Sequence, residues 1–137
     1  MNETQPNFPK VSIGLPVYNG ELFLKTAIDS LLNQSYSNFE LIISDNNSTD
    51  STQRICQEYA KNDDRIRYIK QEKNIGPYPN FYFVLSQSKG KYFMWAAADD
   101  FWDILILYKK ISLCYSAIQM LFVVLVKSTH MVFLIAI

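Results

Sequence analysis

The chain lacks most of what would mark an extracellular, nucleic-acid-binding or phosphate-loop protein. Its two cysteines, Cys56 and Cys114, have no framework spacing, which excludes a disulfide-stapled scaffold and makes unpaired thiols in a reducing compartment the expectation. Thirteen Lys and Arg balance thirteen Asp and Glu, so there is no basic surplus to bind nucleic acid. The lone histidine, His130, reads as incidental rather than catalytic. The four glycines never assemble into GxxxxGK[ST] or GxGxxG, which removes both the P-loop and the dinucleotide fingerprint. Met1 to Pro9 is polar, without the apolar stretch of a secretory signal.

The absences are also uneven. Every acidic residue, glycine and proline lies at or before Asp103, and Ile104 to Ile137 carries only Lys109, Lys110 and Lys127 as charges. The 137 residues are enough for one domain with a modest core, and the overall 49% hydrophobic and 19% charged content is that of an ordinary globular protein. Three segments follow: a polar tail at 1–9, a domain at 10–103 and an atypical apolar tail at 104–137.

Between residues 10 and 103, strand-like and helix-like patterns alternate. Lys10 to Pro16 reads as a buried strand ended by its proline, and Val17 to Gly20 as a strand-to-helix turn. Glu21 to Leu32 carries Leu22, Phe23, Ile28, Leu31 and Leu32 at helical spacing. A second strand, Phe39 to Ser44, runs into the turn-rich string Asp45-Asn46-Asn47-Ser48-Thr49-Asp50, ahead of a helix from about Ser51 to Lys61 that buries Ile55, Cys56 and Tyr59. Ile66 to Ile69 is a third strand with an alternating face, Asn74 to Asn80 a loop, Phe81 to Ser88 a helix, and Tyr92 to Trp95 a fourth strand buried on both faces. This β-α-β-α-β-α-β order with short connections predicts an α/β fold: a mostly parallel sheet with helices on both faces.

In such a sheet ligands bind beyond the carboxyl ends of the strands. Strand one delivers Tyr18 and Asn19 there, strand two Asp45, and strand four the adjacent pair Asp99 and Asp100. An aromatic ring can stack on a nucleobase, and a carboxylate can accept the imide N–H of uracil. Two adjacent carboxylates repel each other unless a cation compensates, and a hard divalent metal carrying phosphates is a natural compensator. Each residue also has a plainer role: Tyr18 as core packing, Asp45 or Asp99 as a helix cap, Asn80 as a loop amide and Arg65 as a solvated charge rather than donor contacts.

Four strings in order, Val11-Ser12-Ile13-Gly14-Leu15-Pro16-Val17-Tyr18-Asn19-Gly20, Leu41-Ile42-Ile43-Ser44-Asp45-Asn46-Asn47-Ser48-Thr49-Asp50, Asn74-Ile75-Gly76-Pro77 and Ala97-Ala98-Asp99-Asp100, resemble the N-terminal half of family 2 glycosyltransferases over about residues 9 to 103. The resemblance implies a Rossmann-like GT-A nucleotide-diphospho-sugar transferase fold, here incomplete. By the same resemblance Tyr18 and Asp45 contact the donor base, Asp99 lies near the ribose or sugar, Asp100 ligates Mn²⁺ or Mg²⁺, and Pro16, Asn19 and Gly76 shape the donor pocket. The family often has an acid two places before the last Asp of this motif; Ala98 stands there. The full-length form is expected to transfer a sugar with inversion from a nucleotide-sugar, a UDP-sugar first, to a polysaccharide or glycolipid hydroxyl.

An inverting transfer needs a general base near the attacking hydroxyl. No acid follows Asp103, so no catalytic base is expected in this chain, and turnover by it alone is not expected. The composition break raises the expectation of an out-of-frame tail that leaves the sheet edge uncovered. A membrane-associated tail is the other reading, although Ala117 to Val126 is only about half a spanning length. The location expected is cytoplasmic, with membrane association left open. A non-catalytic nucleotide-binding fragment and a small membrane-associated protein remain as alternatives; a phosphoacceptor receiver domain is disfavoured, since no Asp follows the third strand.

Overall fold

A computed structural model describes residues 11–103 in full, together with the backbone of two further strands at 123–127 and 130–136. The polar tail at 1–9 and most of the apolar tail lie outside the described residues, as does the expectation of an out-of-frame origin for the latter.

The elements follow the alternation in the sequence: β1 (Val11–Val17), α1 (Leu24–Leu32), β2 (Phe39–Asp45), α2 (Thr52–Asn62), β3 (Ile66–Lys70), α3 (Pro77–Ser86) and β4 (Tyr92–Trp95), then β5 (Val123–Lys127) and β6 (His130–Ala136). The sheet order is β3-β2-β1-β4-β6-β5, with β1 to β4 mutually parallel and β6 antiparallel to both β4 and β5. The edge of β4 is therefore covered, contrary to expectation: Tyr92, Phe93 and Met94 pair with Ala136, Ile135 and Leu134. A β-branched and aromatic run such as 130–136 has the strand propensity to take up an open edge.

Side-chain alternation divides the core into two layers. Val11, Ile13, Leu15 and Val17 of β1, Leu41 and Ile43 of β2, and Tyr92 and Met94 of β4 pack with Leu24, Ile28 and Leu31 of α1 and Ile55 and Cys56 of α2. Ile42 and Phe93, on the opposite face, pack with Val84 of α3. Helices thus cover both faces. Toward α3, β1 presents only Ser12, Gly14 and Pro16, and a Cβ at Gly14 would stand 2.6 Å from Phe93 Cζ and 2.7 Å from Val84 Cγ2. Below, buried Glu40 accepts the Ser12 hydroxyl at 2.6 Å and the Lys89 N–H at 2.9 Å, tying the entry of β4 to the sheet.

Several boundaries differ from the sequence reading for identifiable reasons. Pro16 does not end β1. Gly14 O accepts from Ala96 N, so the alternating backbone directs residue 16 toward β4 where that pairing has ceased, and the missing N–H costs no ladder bond. Leu22 and Phe23 lie before α1 rather than on its core face and are 81% and 58% exposed. Pro77 opens α3 instead of belonging to a loop, because the first helical N–H is unpartnered in any case and Gly76, at φ 86°, supplies the turn before it. Instead of alternating, β3 is only partly buried after Ile66, as befits an edge strand. Tyr59 is half-buried, and its hydroxyl donates to Asp29 at 2.6 Å.

Candidate donor-binding rim

The carboxyl ends of β2, β1 and β4 lie side by side, and the rim they form is held by a polar clasp between the first two loops. Val17 pairs with Asp45, and Val17 O accepts from Asn46 N at 2.8 Å. Beyond that point Asn19 N donates to Ser48 Oγ and Gly20 N to Thr52 Oγ1, each at 2.9 Å. Asn19 Oδ1 accepts from Thr49 N at 2.9 Å. Glu21 and Asp50 complete the clasp reciprocally: Asp50 Oδ2 accepts from Glu21 N at 3.1 Å, and Glu21 Oε2 from Ser51 N at 2.9 Å. Asn19 and Asn47 have φ of 51° and 61°, a left-handed conformation that asparagine tolerates better than most residues. Tyr18, at the apex, is 50% exposed, so it is not core packing.

A second network, centred on Asn46, fixes the start of α3 against β2. Asn46 Nδ2 donates to Asn74 Oδ1 at 3.0 Å and to Gly76 O at 3.1 Å, and Asn46 Oδ1 accepts from Ile75 N at 2.9 Å. Asn80 is buried in α3, its Oδ1 accepting from Ser44 Oγ at 2.6 Å and its Nδ2 donating to Ser44 O at 3.0 Å. It is thus a helix amide sealing onto β2, not the loop amide expected.

Two open depressions result. The larger, 390 Å³, is bordered by Pro16, Tyr18, Asn19, Phe23, Phe81 and Asp99 among others. The smaller, 270 Å³, shares Pro16, Val17, Tyr18 and Phe81 with it and adds Asn46, Asn74, Pro77 and Asn80. Among the described lining residues Asp99 carries the only formal charge.

Of the residues singled out from sequence, Pro16, Tyr18, Asn19 and Asp99 line this space together. Gly76 stands behind it, holding Asn46 through its carbonyl. Asp45 is at the expected strand end but fully buried beneath the rim. Its Oδ1 accepts from Ser48 N at 2.8 Å and its Oδ2 from Tyr68 Oη at 2.9 Å, so contact with a base requires the rim above it to open. Burial first, then the Asp45 carboxylate, raises the Tyr68 phenol well above its usual range and keeps it a donor. Asp100 is half-buried in a turn closed by its own N–H to Ala97 O at 3.3 Å, directly after exposed Asp99.

Two further residues named from the sequence lie away from the rim. Asp103 is drawn to the far end of α1, where Gln34 Nε2 donates to its carbonyl at 2.8 Å and Trp102 N donates to Ser30 Oγ at 3.1 Å. Arg65 lies at the opposite end of the sheet, paired with Asp63 at 2.7 Å and over the Phe39 ring at 4.6 Å. Asn46, Tyr68 and Phe81 were missed. Asn46 had a readable signal, an amide directly after a strand-end acid, whereas Tyr68 and Phe81 reach the site only through register and helix placement.

Among the described residues no three His, Cys, Asp or Glu gather into a metal cluster. Asp99 and Asp100 are two hard oxygen donors on an open turn, which fits a divalent cation that takes its remaining ligands from phosphate and water.

A mostly parallel α/β sheet thus places an aromatic, an amide network and an acidic pair at its carboxyl rim, the edge at which open α/β sheets bind ligands. The chain matches the sequence profile "Glycosyl transferase family 2" over residues 12–111, and it belongs to that family. It is 38% identical over 93 residues, 67% of this chain and 30% of the relative, to the GalNAc(5)-diNAcBac-PP-undecaprenol beta-1,3-glucosyltransferase of Campylobacter jejuni. It is 41% identical over 93 residues to the putative glycosyltransferase EpsE of Bacillus subtilis, again 67% of this chain and 34% of the relative. The structure of S. aureus TarS 1-349 in complex with UDP-GlcNAc aligns with a TM-score of 0.72 and 25% identity, over 78% of this chain and 31% of TarS 1-349. The chain thus spans about a third of the length of these relatives. Among the described residues no helix is long and apolar enough to cross a membrane.

Proposed function

We propose that residues 11–103 bind the nucleotide portion of a nucleotide-sugar, a UDP-sugar first, and that in full-length form the protein transfers the sugar with inversion to a hydroxyl of a polysaccharide or glycolipid. The observation that carries this reading is the joint lining of one rim depression by Pro16, Tyr18, Asn19 and Asp99, with Asp100 adjacent. Relatives agree in kind: TarS is seen with UDP and with UDP-GlcNAc, the Campylobacter relative is a glucosyltransferase named for a PP-undecaprenol substrate, and TuaG of Bacillus subtilis is named for teichuronic acid biosynthesis.

In this reading the Tyr18 ring offers its exposed face to the base, and the clasp through Asn19 holds it in place before the donor arrives. Asp45 takes the base imide N–H once the rim above it opens, since its oxygens keep lone pairs beyond the two in use by Ser48 and Tyr68. Pro16 and Gly76 shape the walls. Asp100 with Asp99 would hold Mn²⁺ or Mg²⁺, through which the diphosphate charge would be met. When bound, that ion neutralises the departing nucleoside diphosphate. We assign the deprotonation of the acceptor hydroxyl to no residue of this chain. A cytoplasmic place of action, with peripheral association to a membrane that carries the acceptor, belongs to the same proposal.

Calorimetric titration of the chain with UDP, with and without Mn²⁺, tests the reading. Metal-dependent binding is expected, weakened by Tyr18→Ala and stripped of its metal dependence by Asp100→Asn. Absence of UDP binding in the presence of Mn²⁺, or binding that neither substitution alters, would remove it.

A further inference from the structure

Phe81 has no part in the reading above, yet it borders both depressions. The residues common to the two are Pro16, Val17 and Tyr18 from the end of β1 and, from elsewhere in the fold, Phe81 of α3. Phe81 therefore borders the same space as the β1 terminus, from a different element.

Phe81 is 41% exposed, so part of its ring is open to a ligand in these depressions. Trp95 meets it through both backbone and ring. The Trp95 indole N–H donates to the Phe81 carbonyl at 3.1 Å, and the two rings lie 6.4 Å apart at 41°. Trp95 in turn meets buried Phe93 edge-on at 5.0 Å and 83°, and Phe93 fills the space above Gly14. The ring is thus an apolar surface braced from the core and offered to the cavity. The backbone that carries the ring is tied to the core, and the ring itself offers an apolar face on which a flat ligand group can stack.

Resting on the donor reading, we propose that Phe81 is a donor-contacting residue that forms, with Tyr18, an aromatic passage in which the nucleoside of the nucleotide-sugar lies. A ligand occupying both depressions meets both rings. The smaller depression has no formal charge in its described lining and suits the base, and the larger, with Asp99, lies toward the metal-bound phosphates. The contact is with the nucleoside, so it is independent of the metal. Phe81 thereby differs from Asp100 in what its loss removes.

The test titrates the full chain with UDP and with uridine, each with and without Mn²⁺, comparing wild type with Phe81→Ala, Phe81→Leu and Trp95→Phe, and far-UV circular dichroism checks the fold. Phe81→Ala is expected to weaken UDP and uridine by the same factor, about tenfold, and to leave the Mn²⁺ dependence of UDP binding unchanged. Phe81→Leu, which keeps apolar volume but not the ring, is expected to recover part of the loss and provides the measurement should the alanine variant unfold. Trp95→Phe, which removes the hydrogen bond to the Phe81 carbonyl, should produce a smaller loss of the same kind. If wild type binds UDP and both folded Phe81 variants bind it within twofold of wild type, this proposal falls while the donor reading stands. If uridine is unaffected and only metal-dependent UDP binding declines, the contact is with the phosphates and the proposal is wrong as stated. If wild type binds neither ligand, the donor reading falls and takes this one with it.

Discussion

Gly14→Ala isolates the packing on which the rim depends. An added Cβ would lie 2.6 and 2.9 Å from Phe93 Cζ and Cε2 and 2.7 Å from Val84 Cγ2, and both neighbours are fully buried. Neither side chain is a free end that can swing into solvent, so either β1 and α3 separate or the Phe93 ring turns. Overpacking of this kind costs about 1–3 kcal/mol. The lower chain entropy of alanine in the unfolded state returns about 0.5–1 kcal/mol. Three contacts under 3.0 Å put the overpacking in the upper half of that range, so the net destabilisation is about 1–2.5 kcal/mol, which for a domain of this size lowers the melting temperature by roughly 4–20 °C. Urea unfolding followed by far-UV circular dichroism measures the difference directly. If the Phe93 ring is the cause, Gly14→Ala made in a Phe93→Leu background should cost clearly less, because residues in contact are not additive. Equal costs in the two backgrounds, or a change under about 0.5 kcal/mol in the single variant, would refute the packing argument.

Three further outcomes follow from particular contacts. Asn19→Ala loses the acceptor for Thr49 N–H and places alanine at a φ of 51°, so it should cost about 1–2 kcal/mol in urea unfolding and weaken UDP; Asn19→Gly should restore the backbone share alone, and equal effects of the two would deny any role to the left-handed turn. Burial, then the Asp45 and Asp50 carboxylates, push the Cys56 thiol up to about 12, so in a Cys114→Ser background it should resist a thiol reagent at pH 8 until the chain is unfolded, and rapid labelling of the native protein would contradict this. The side-chain hydrogen bond from Arg65 holds the Asp63 carboxyl below its ordinary value, so its stabilisation is present above the unfolded pKa of about 3.9 and is lost as pH falls through the folded one. For Asp50, burial pushes upward but hydrogen bonds involving Thr52 and the Glu21 N–H outweigh it, giving the same sign. Urea midpoints should therefore decline from about pH 5 to pH 3, and less so in Asp63→Asn; identical slopes would exclude that contribution.

Read from the chain alone, the alternation of short apolar runs with amphipathic ones was enough for the parallel sheet, its helical layers and the strand ends at which Tyr18, Asp45 and Asp99 emerge. That information is local: side-chain periods of 2 and 3.6 residues and the turn chemistry between them are written in consecutive residues. The same locality explains the misplacements. Pro77 looked like loop because a proline pair usually is, and its role as the first residue of α3 depends on the conformation of Gly76. Leu22 and Phe23 fitted a helical stripe that begins only at Leu24, and Pro16 could remain within β1 only because β4 stops short of it. The tertiary structure alone decided which groups meet across the fold. It buried Asp45 under Tyr68, moved Asp103 to the far end of α1, joined the first two loops through Asn19 and Asp50, and brought Phe81 to the β1 rim. Those pairings join residues about 20 to 70 positions apart through strand register and helix placement. No window of consecutive residues contains them, because the free energy that selects them belongs to the packed whole.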